Sequence, residues 1–256
     1  EGVSDFVALG RSQFADPEFM NKARAGKPES IRKCIGCMYC RERLLGNAMP
    51  VECSLNPRLG REYRYRWQDL QKNGNSRPVV VVGGGPGGMQ AALLLKKRGY
   101  YPVIFESRDH LGGSAVLASK APCKGMVAEL IETMKAEMKE YHIEVRLNTP
   151  ATVETLRALD PYGVVVACGG GVIKRSENIE IFKQTGIVFF LDRSPDDIVS
   201  DVDVSTRPLL KDGKKKVYDL YDERISLYRQ AADYHIANDR TIEEVLDDFE
   251  ALIENI

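Results

Sequence analysis

The stretch VVVVGGGPGGMQAALLL, Val79 to Leu95, decides the fold. Four valines form a strand, the alanine- and leucine-rich run that follows forms a helix, and Gly83, Gly85 and Gly88 stand between them in G-x-G-x-x-G register. At such a junction the first glycine permits a tight turn and the second lets backbone approach a pyrophosphate. The third lets helix pack on strand, while the helix N-terminus offers N–H groups and the positive end of its dipole. Glu106 closes the next apolar run, near the offset of about 20 residues at which an acidic side chain takes ribose hydroxyls. Leu111-Gly112-Gly113 supplies a second glycine loop able to bring backbone to a nucleotide. A glycine turn that serves packing alone is the plainer alternative. Strand, glycines, helix and acid in this order favour dinucleotide binding.

Outward from this turn, apolar strands and helical segments alternate. The expected strands are Val79 to Val82, Pro102 to Glu106, Ile143 to Leu147, Gly163 to Ala167, Gly186 to Leu191 and Tyr234 to Ile236. Between them lie helical patterns from about Gly88 to Arg98, Lys124 to Tyr141, Ser176 to Gln184 and Lys214 to Ala231. Such alternation predicts an α/β fold, a doubly wound parallel sheet covered by helices. The last helix is announced by Thr241 with Glu244 three residues on, a capping box, and by Ile242, Val245, Leu246, Phe249, Leu252 and Ile253 on one face.

Upstream, Cys34, Cys37, Cys40 and Cys53 are spaced C-x2-C-x2-C-x12-C within CIGCMYCRERLLGNAMPVECSLNP. Three thiolates on one tight loop and a fourth from the next turn are the ligation that a [4Fe-4S] cluster requires. Zinc also takes four thiolates, usually as two C-x2-C knuckles, and Cys53 has no close cysteine partner. Unrelated free thiols are the remaining reading. Cys123 and Cys168 read as plain buried thiols. Before the cysteines, Phe6 to Leu9 reads as a short buried strand, and Asp16-Pro17-Glu18-Phe19 opens a helix with an acidic cap and a first-turn proline. The opening EGVSDFVALGR reads as the last strand of an excised or truncated domain. REYRYRWQDLQKNGNSRP, polar and turn-rich, connects the cysteines to the glycine module.

With 256 residues, 43% of them hydrophobic, the chain has enough material for one or two globular domains. Its 36 basic and 37 acidic residues leave a formal charge of -1, which gives no electrostatic case for nucleic acid or an anionic membrane. Apolar runs fall short of the ~18 residues of a membrane helix. Six cysteines, four in a metal pattern, suit a reducing compartment, so a cytoplasmic protein with small-molecule partners is expected.

On these motifs, residues 1 to about 168 resemble the trimethylamine dehydrogenase and 2,4-dienoyl-CoA reductase family of iron-sulfur flavoproteins, relatives of the old yellow enzyme-like NADH:flavin oxidoreductases. DFVALGR followed by ADPEF is similar to the closing strand and helix of that family's flavin-bearing barrel. CIGCMYC with ECSLNP is similar to its cluster loop, and VVVVGGGPGG with FES to its nucleotide domain. The two-residue gap between Cys37 and Cys40 is closer to the trimethylamine dehydrogenase branch. The resemblance implies a [4Fe-4S] cluster, FAD or ADP, and Gly10 and Arg11 at the phosphate of FMN. A complete (β/α)8 barrel takes on the order of 250 residues; only its last strand and helix are expected here, so FMN is implied only if a barrel is supplied.

From Ala167 onward the chain resembles something else. GGGVIKRSEN, TGIVFFLDRSPDDI, TRPLL and DERISLYRQAADYHI follow the order of motifs in the C-terminal half of shikimate kinase. That resemblance implies that Gly169, Gly170 and Gly171 form a shikimate-binding loop, that Arg207 is the lid arginine approaching the transferring phosphate, that Arg224 grips the shikimate carboxylate, and that Arg240 lies near the adenine pocket. Arginines of this kind suit phosphoryl transfer, which rests on positioning and charge neutralisation with Mg2+ and ATP. A kinase also needs G-x-x-x-x-G-K-[ST] to cradle phosphates, and no window of this sequence supplies it. Negligible kinase activity is expected.

The whole reads as a chimera of two incomplete enzymes. Residues 1–30 are a barrel remnant, 31–77 the cysteine loop and linker, 78–168 an FAD- or ADP-binding βαβ unit, and 169–256 the kinase-like half. The strand-then-glycine pattern around VVVACGGG would let the two halves share one sheet. The expected function is electron transfer by an iron-sulfur flavoprotein fragment. The alternatives are a shikimate kinase-like phosphotransferase and a non-catalytic nucleotide-binding scaffold.

Overall fold

Val79 to Val82 run through the interior of a four-stranded parallel sheet. A computed structural model of the protein describes residues 5–46, 50–166, 172–185, 187–201 and 215–254. The chain divides into two units, Glu1–Ala167 and Cys168–Ile256.

In the first unit, α1 (Arg11–Ala15), α2 (Phe19–Arg24) and the single turn α3 (Tyr39–Arg41) precede β1 (Pro78–Val82). There follow α4 (Pro86–Lys97), β2 (Tyr101–Phe105), α5 (Ser114–Ala118), α6 (Gly125–Glu140), β3 (Glu144–Arg146), α7 (Val153–Leu159) and β4 (Gly163–Val166). The strand order is β3-β2-β1-β4, all parallel, with Val81 opposite Ile104 on one side and Val165 on the other. Successive strand side chains point to opposite faces. Val81 and Ile104 accordingly pack against Met89, Ala92 and Leu93 of α4 and Met134 and Met138 of α6. Val80, Val103 and Phe105 pack on the other face, against Leu156 and Leu159 of α7. Because both faces are covered, the strand needs valine at every position, which is why it reads as an unbroken apolar run. Each such side chain contributes about 1.5–3 kcal/mol by its burial.

The helices and strands expected around the glycine turn are present to within a few residues. α7 was not expected, although Thr152 and Thr155 form a reciprocal capping box at its start. Phe6 to Leu9 does not form a strand, and Phe6 and Val7 are exposed. A strand persists where a neighbour completes its ladder, and the described strands pair elsewhere. The segment after it is held instead by buried ion pairs. The carboxylate of Asp16 accepts the amides of Glu18 and Arg32 at 3.0 and 2.9 Å and pairs with Lys22 at 2.8 Å. Lys22 and Arg32 both pair with Glu137 of α6, at 3.2 and 2.8 Å, while Lys27 and Ser30 bond Glu140. Asp16, expected to open a helix, thus fastens α2 and the approach to the cysteines onto α6.

In the second unit, α8 (Ser176–Thr185), β5 (Phe189–Asp192), α9 (Pro195–Asp201), α10 (Lys215–Ala231), β6 (Tyr234–Ala237) and α11 (Ile242–Glu254) follow in order, with β5 and β6 parallel. Phe189 lies 4.7 Å from Phe249 of α11 and 5.5 Å from Tyr234, ring centre to ring centre, and Phe190 stacks on Tyr228 of α10. The capping box at Thr241 and Glu244 is made as expected. The described strands form two sheets, one in each unit, in place of a shared one. No described helix is long and apolar enough to cross a membrane.

Candidate functional site

The glycine turn is built by β1 and α4 and locked by the acid that follows β2. Gly83 has φ 101° and donates its N–H to the Phe105 carbonyl at 2.8 Å. At Gly88 a β-carbon would lie 1.9 Å from the Gly83 carbonyl oxygen, so helix and turn meet only because Gly88 lacks a side chain. Gly85 caps α4 with no side-chain hydrogen bond, and Pro86 takes the first helical position. The amides of the first turn therefore face outward from the end of β1 with no side-chain acceptor, the disposition that receives a phosphate. The second loop closes on the first: Gly112, at φ 113°, donates to the Gly84 carbonyl at 2.8 Å, and a β-carbon on Gly113 would come within 3.1 Å of the Gly85 α-carbon.

Glu106 is buried beneath this cradle. Its Oε2 accepts the Gly84 N–H at 2.7 Å, and its Oε1 accepts the Arg108 N–H at 2.9 Å and the Ser107 hydroxyl at 3.3 Å. Burial alone would raise its pKa; the amides of Arg108 and Gly84, the Ser107 hydroxyl and the Arg108 charge outweigh it and hold the carboxyl below its ordinary value. The acid expected to take ribose hydroxyls is also the fastener of the glycine turn.

The four cysteines line one cavity, together with Phe14, Ile35 and Leu55. Left-handed residues at Gly36 (φ 65°) and Met38 (φ 61°) curl the C-x2-C-x2-C segment around it. Gly36 donates its N–H to Cys34 Sγ at 3.4 Å, and Ser54 Oγ lies 3.3 Å from Cys37 Sγ. Burial pushes the Cys53 thiol up, opposed by hydrogen bonds from the Leu55 and Asn56 amides, with Cys37 and Cys34 near enough to act on its charge. Among the described residues no three His, Cys, Asp or Glu side chains converge on one ion-sized point. A single tetrahedral ion with 2.3 Å bonds draws its thiolates to about 3.8 Å from one another, whereas a cubane offers each thiolate its own iron and takes a wider ring.

Glu52, beside Cys53, holds the loop together and was not singled out by the sequence. It accepts the Tyr39 hydroxyl at 2.9 Å and pairs with Arg43 at 2.7 Å and Arg61 at 2.6 Å, joining the first three cysteines to the fourth. Asn56 donates its side-chain N–H to the Phe14 carbonyl at 3.0 Å, which ties the loop to α1. The only sequence signal of either is position, within ECSLNP. Arg11 also lines the cysteine cavity, its Nη1 3.0 Å from Met38 Sδ.

In the second unit, Gly169, Gly170, Gly171 and Arg207 lie outside the described residues. Arg224 stands in α10; its Nε is buried with no hydrogen-bond partner, 3.7 Å from Glu223 Oε1, and Glu223 pairs with Lys174 at 2.8 Å. Arg240 is bound by Asp248 of α11 and Asp239, which hold its pKa above the ordinary value.

Comparison with known proteins follows the same division. Residues 81–130 match the NAD(P)-binding Rossmann-like domain family and residues 150–254 the shikimate kinase family. The NADH oxidase of Thermoanaerobacter brockii is 40% identical over 170 residues, 66% of this chain and 26% of that protein. A shikimate kinase of Clostridium botulinum (strain Alaska E43 / Type E3) is 47% identical over 92 residues, 36% of this chain and 56% of the kinase. The solved structure of 6-hydroxypseudooxynicotine amine oxidase from Pseudomonas geniculata N1 matches with a TM-score of 0.59 at 28% identity, over 66% of this chain and 26% of its own. This chain thus spans about a quarter of the oxidase and just over half of the kinase. Its N-terminal part resembles flavin oxidoreductases of the trimethylamine dehydrogenase type and its C-terminal part shikimate kinase: a two-part chimera. The kinase likeness begins at residue 150, ahead of the Gly169 run, so it takes in β4, a strand of the first unit's sheet, and α7, which packs on one face of that sheet. An apolar strand entering a glycine turn serves either fold.

Proposed function

We propose that the first unit is the electron-transfer part of an iron-sulfur flavoprotein, holding a [4Fe-4S] cluster on Cys34, Cys37, Cys40 and Cys53 and the ADP portion of FAD on the Gly83–Gly88 turn. The observation that supports this is that all four cysteines line one cavity, with Phe14, Ile35 and Leu55 beside them and amides directed at Cys34 and Cys53. The four-part division 1–30, 31–77, 78–168 and 169–256 belongs to this reading.

A bound cluster and flavin would supply one-electron and hydride chemistry. The chain's own residues do the rest. Phe14, Ile35 and Leu55 form the apolar part of the wall beside the thiols, and Glu52 fixes the loop through Tyr39, Arg43 and Arg61. Amides at the start of α4 meet the pyrophosphate, with Gly112 and Gly113 backing the turn and Glu106 holding it open beside the ribose position. FMN enters only where a barrel is supplied, and Arg11 would then meet its phosphate.

Anaerobic reconstitution with iron and sulfide, followed by an absorption spectrum and titration with ADP and FAD, tests the proposal. About four iron and four sulfide per chain with saturable ADP binding is expected; a colourless, iron-free protein after reconstitution would overturn it. A second reading, a carboxylate site of the shikimate type in the C-terminal unit, is favoured by Arg224, whose buried Nε is met, among the described residues, only by Glu223 at the ion-pair distance of 3.7 Å. Shikimate binding abolished by Arg224→Ala would support it. ATP and Mg2+ belong only to that reading.

A further inference from the structure

We infer that Arg32 is a positioning residue that couples the cysteine cavity to the glycine cradle, so that loading either site raises the affinity of the other. The inference rests on the reading of those two sites given above.

Arg32 stands two residues before Cys34, and its side chain is largely buried. Its Nη2 donates to Gln90 Oε1 on α4 at 2.7 Å, five residues beyond Gly85, the cap of the helix whose amides form the phosphate site. Its Nε donates to Glu137 Oε2 on α6 at 2.9 Å. Its Nη1 reaches within 3.5 Å of the Leu55 carbonyl, two residues beyond Cys53. One guanidinium therefore touches the nucleotide helix, α6 and the Cys53 side of the cysteine loop, while the backbone of Arg32 leads directly into the Cys34 side.

The group is held from behind. Its own backbone N–H is taken by Asp16 at 2.9 Å, and Asp16 and Glu137 share Lys22. A planar fork fixed at this many points does not shift along one contact without straining the others; a lysine ammonium in its place reaches fewer of them. A ligand that orders the cysteine loop thereby orders Gln90 and the first turns of α4. A nucleotide that orders α4 does the same for the loop. The second ligand then meets a frame whose ordering cost has been met, and the coupling is equal in both directions.

The test is the equilibrium affinity for ADP, measured on the full chain before and after cluster reconstitution, in wild type, Gln90→Leu and Arg32→Lys. Gln90→Leu cuts only the contact to α4 and keeps the Arg32–Glu137 pair. In wild type the cluster is expected to tighten ADP by about fivefold or more. Both variants are expected to build the cluster and to bind ADP as wild type does before reconstitution, with the gain on reconstitution falling below about twofold. Iron retained against a chelator should rise with ADP in wild type and respond little in Gln90→Leu. Equal ADP affinity with and without the cluster in wild type, or a full gain in Gln90→Leu, overturns the coupling while leaving both sites intact. A wild-type chain that takes up no iron or binds no ADP overturns the site reading itself, and the coupling with it.

Discussion

The Glu106 carboxylate accepts the Gly84 amide at 2.7 Å, so the acid that ends β2 holds the turn that leaves β1. Two neighbouring strands are joined at their C-terminal ends before any ligand arrives. Glu106→Gln keeps the shape and loses the charge; with hydrogen bonds to a charged group contributing about 1.5–3 kcal/mol, urea unfolding at neutral pH should show a loss of that order or less. ADP affinity should fall with it.

The pH dependence has a definite direction. The folded-state pKa of Glu106 lies below its ordinary value, because amides, the Ser107 hydroxyl and the Arg108 charge outweigh burial. The unfolded chain therefore takes up the proton first as pH falls. The contribution is complete above about pH 4.3, the unfolded value, and is lost as pH drops toward the folded one. The stability gap between wild type and Glu106→Gln should accordingly narrow in urea titrations below about pH 4.

Two adjacent glycines should respond in opposite ways. Gly88→Ala places a β-carbon 1.9 Å from the Gly83 carbonyl and should cost several kcal/mol or prevent folding, since backbone has to move. Gly87→Ala meets nothing within 4 Å and lies inside α4, so it should leave stability unchanged or raise it by up to about 1 kcal/mol. Thermal denaturation of the pair separates a packing glycine from a permissive one.

Removal of Glu52 takes from Arg43 and Arg61 the carboxylate that pairs with both in a largely buried site. Glu52→Ala should therefore destabilise the cysteine loop by up to about 3–5 kcal/mol, the cost of breaking a buried pair on one side. Iron content after reconstitution should fall although every cysteine remains. An unchanged iron yield would show that the clamp is dispensable.

Serine in place of Cys34, Cys37, Cys40 or Cys53 should each lower iron and sulfide per chain, whereas Cys123→Ser should not. Cys123 was expected as a buried thiol and is exposed, at φ 58°, outside the cavity. Iron and sulfide analysis of the five variants is the check.

Residues 1–256 contain no G-x-x-x-x-G-K-[ST] window, so shikimate- and ATP-dependent ADP release by this chain should be negligible even if Arg224 binds a carboxylate. Steady turnover in a coupled assay would show that another loop replaces the P-loop.

Elements with a local signature were legible. The valine run, the Gly83–Gly88 register, the helix over α6 and the Thr241 box each depend on residues within a few positions of one another. Phe6 to Leu9 has an equally apolar run but forms no strand, because apolar character creates a strand only where a neighbouring strand completes the ladder. α7 was missed because its box uses Thr155 where Glu or Gln is the usual signal. Glu52, Asn56 and Arg32 looked like ordinary polar residues of a loop. Their roles arise from partners such as Glu137, 105 positions from Arg32, and no local pattern encodes such a distance.

By itself, then, the sequence determined the spacing of the four cysteines proposed as ligands, the glycine register of the turn after β1, the alternation of strands and helices, and the change of family late in the chain. These follow from side-chain chemistry and from backbone periods that repeat over a few residues. Tertiary structure decided the rest: the order β3-β2-β1-β4, the separation of the strands into two sheets, and the choice of Asp16, Glu52, Glu106 and Glu137 among many acids as the ones to be buried. The reason is energetic. A charge is withdrawn from water only where opposite charges or amides meet it, and those partners are assembled by the fold.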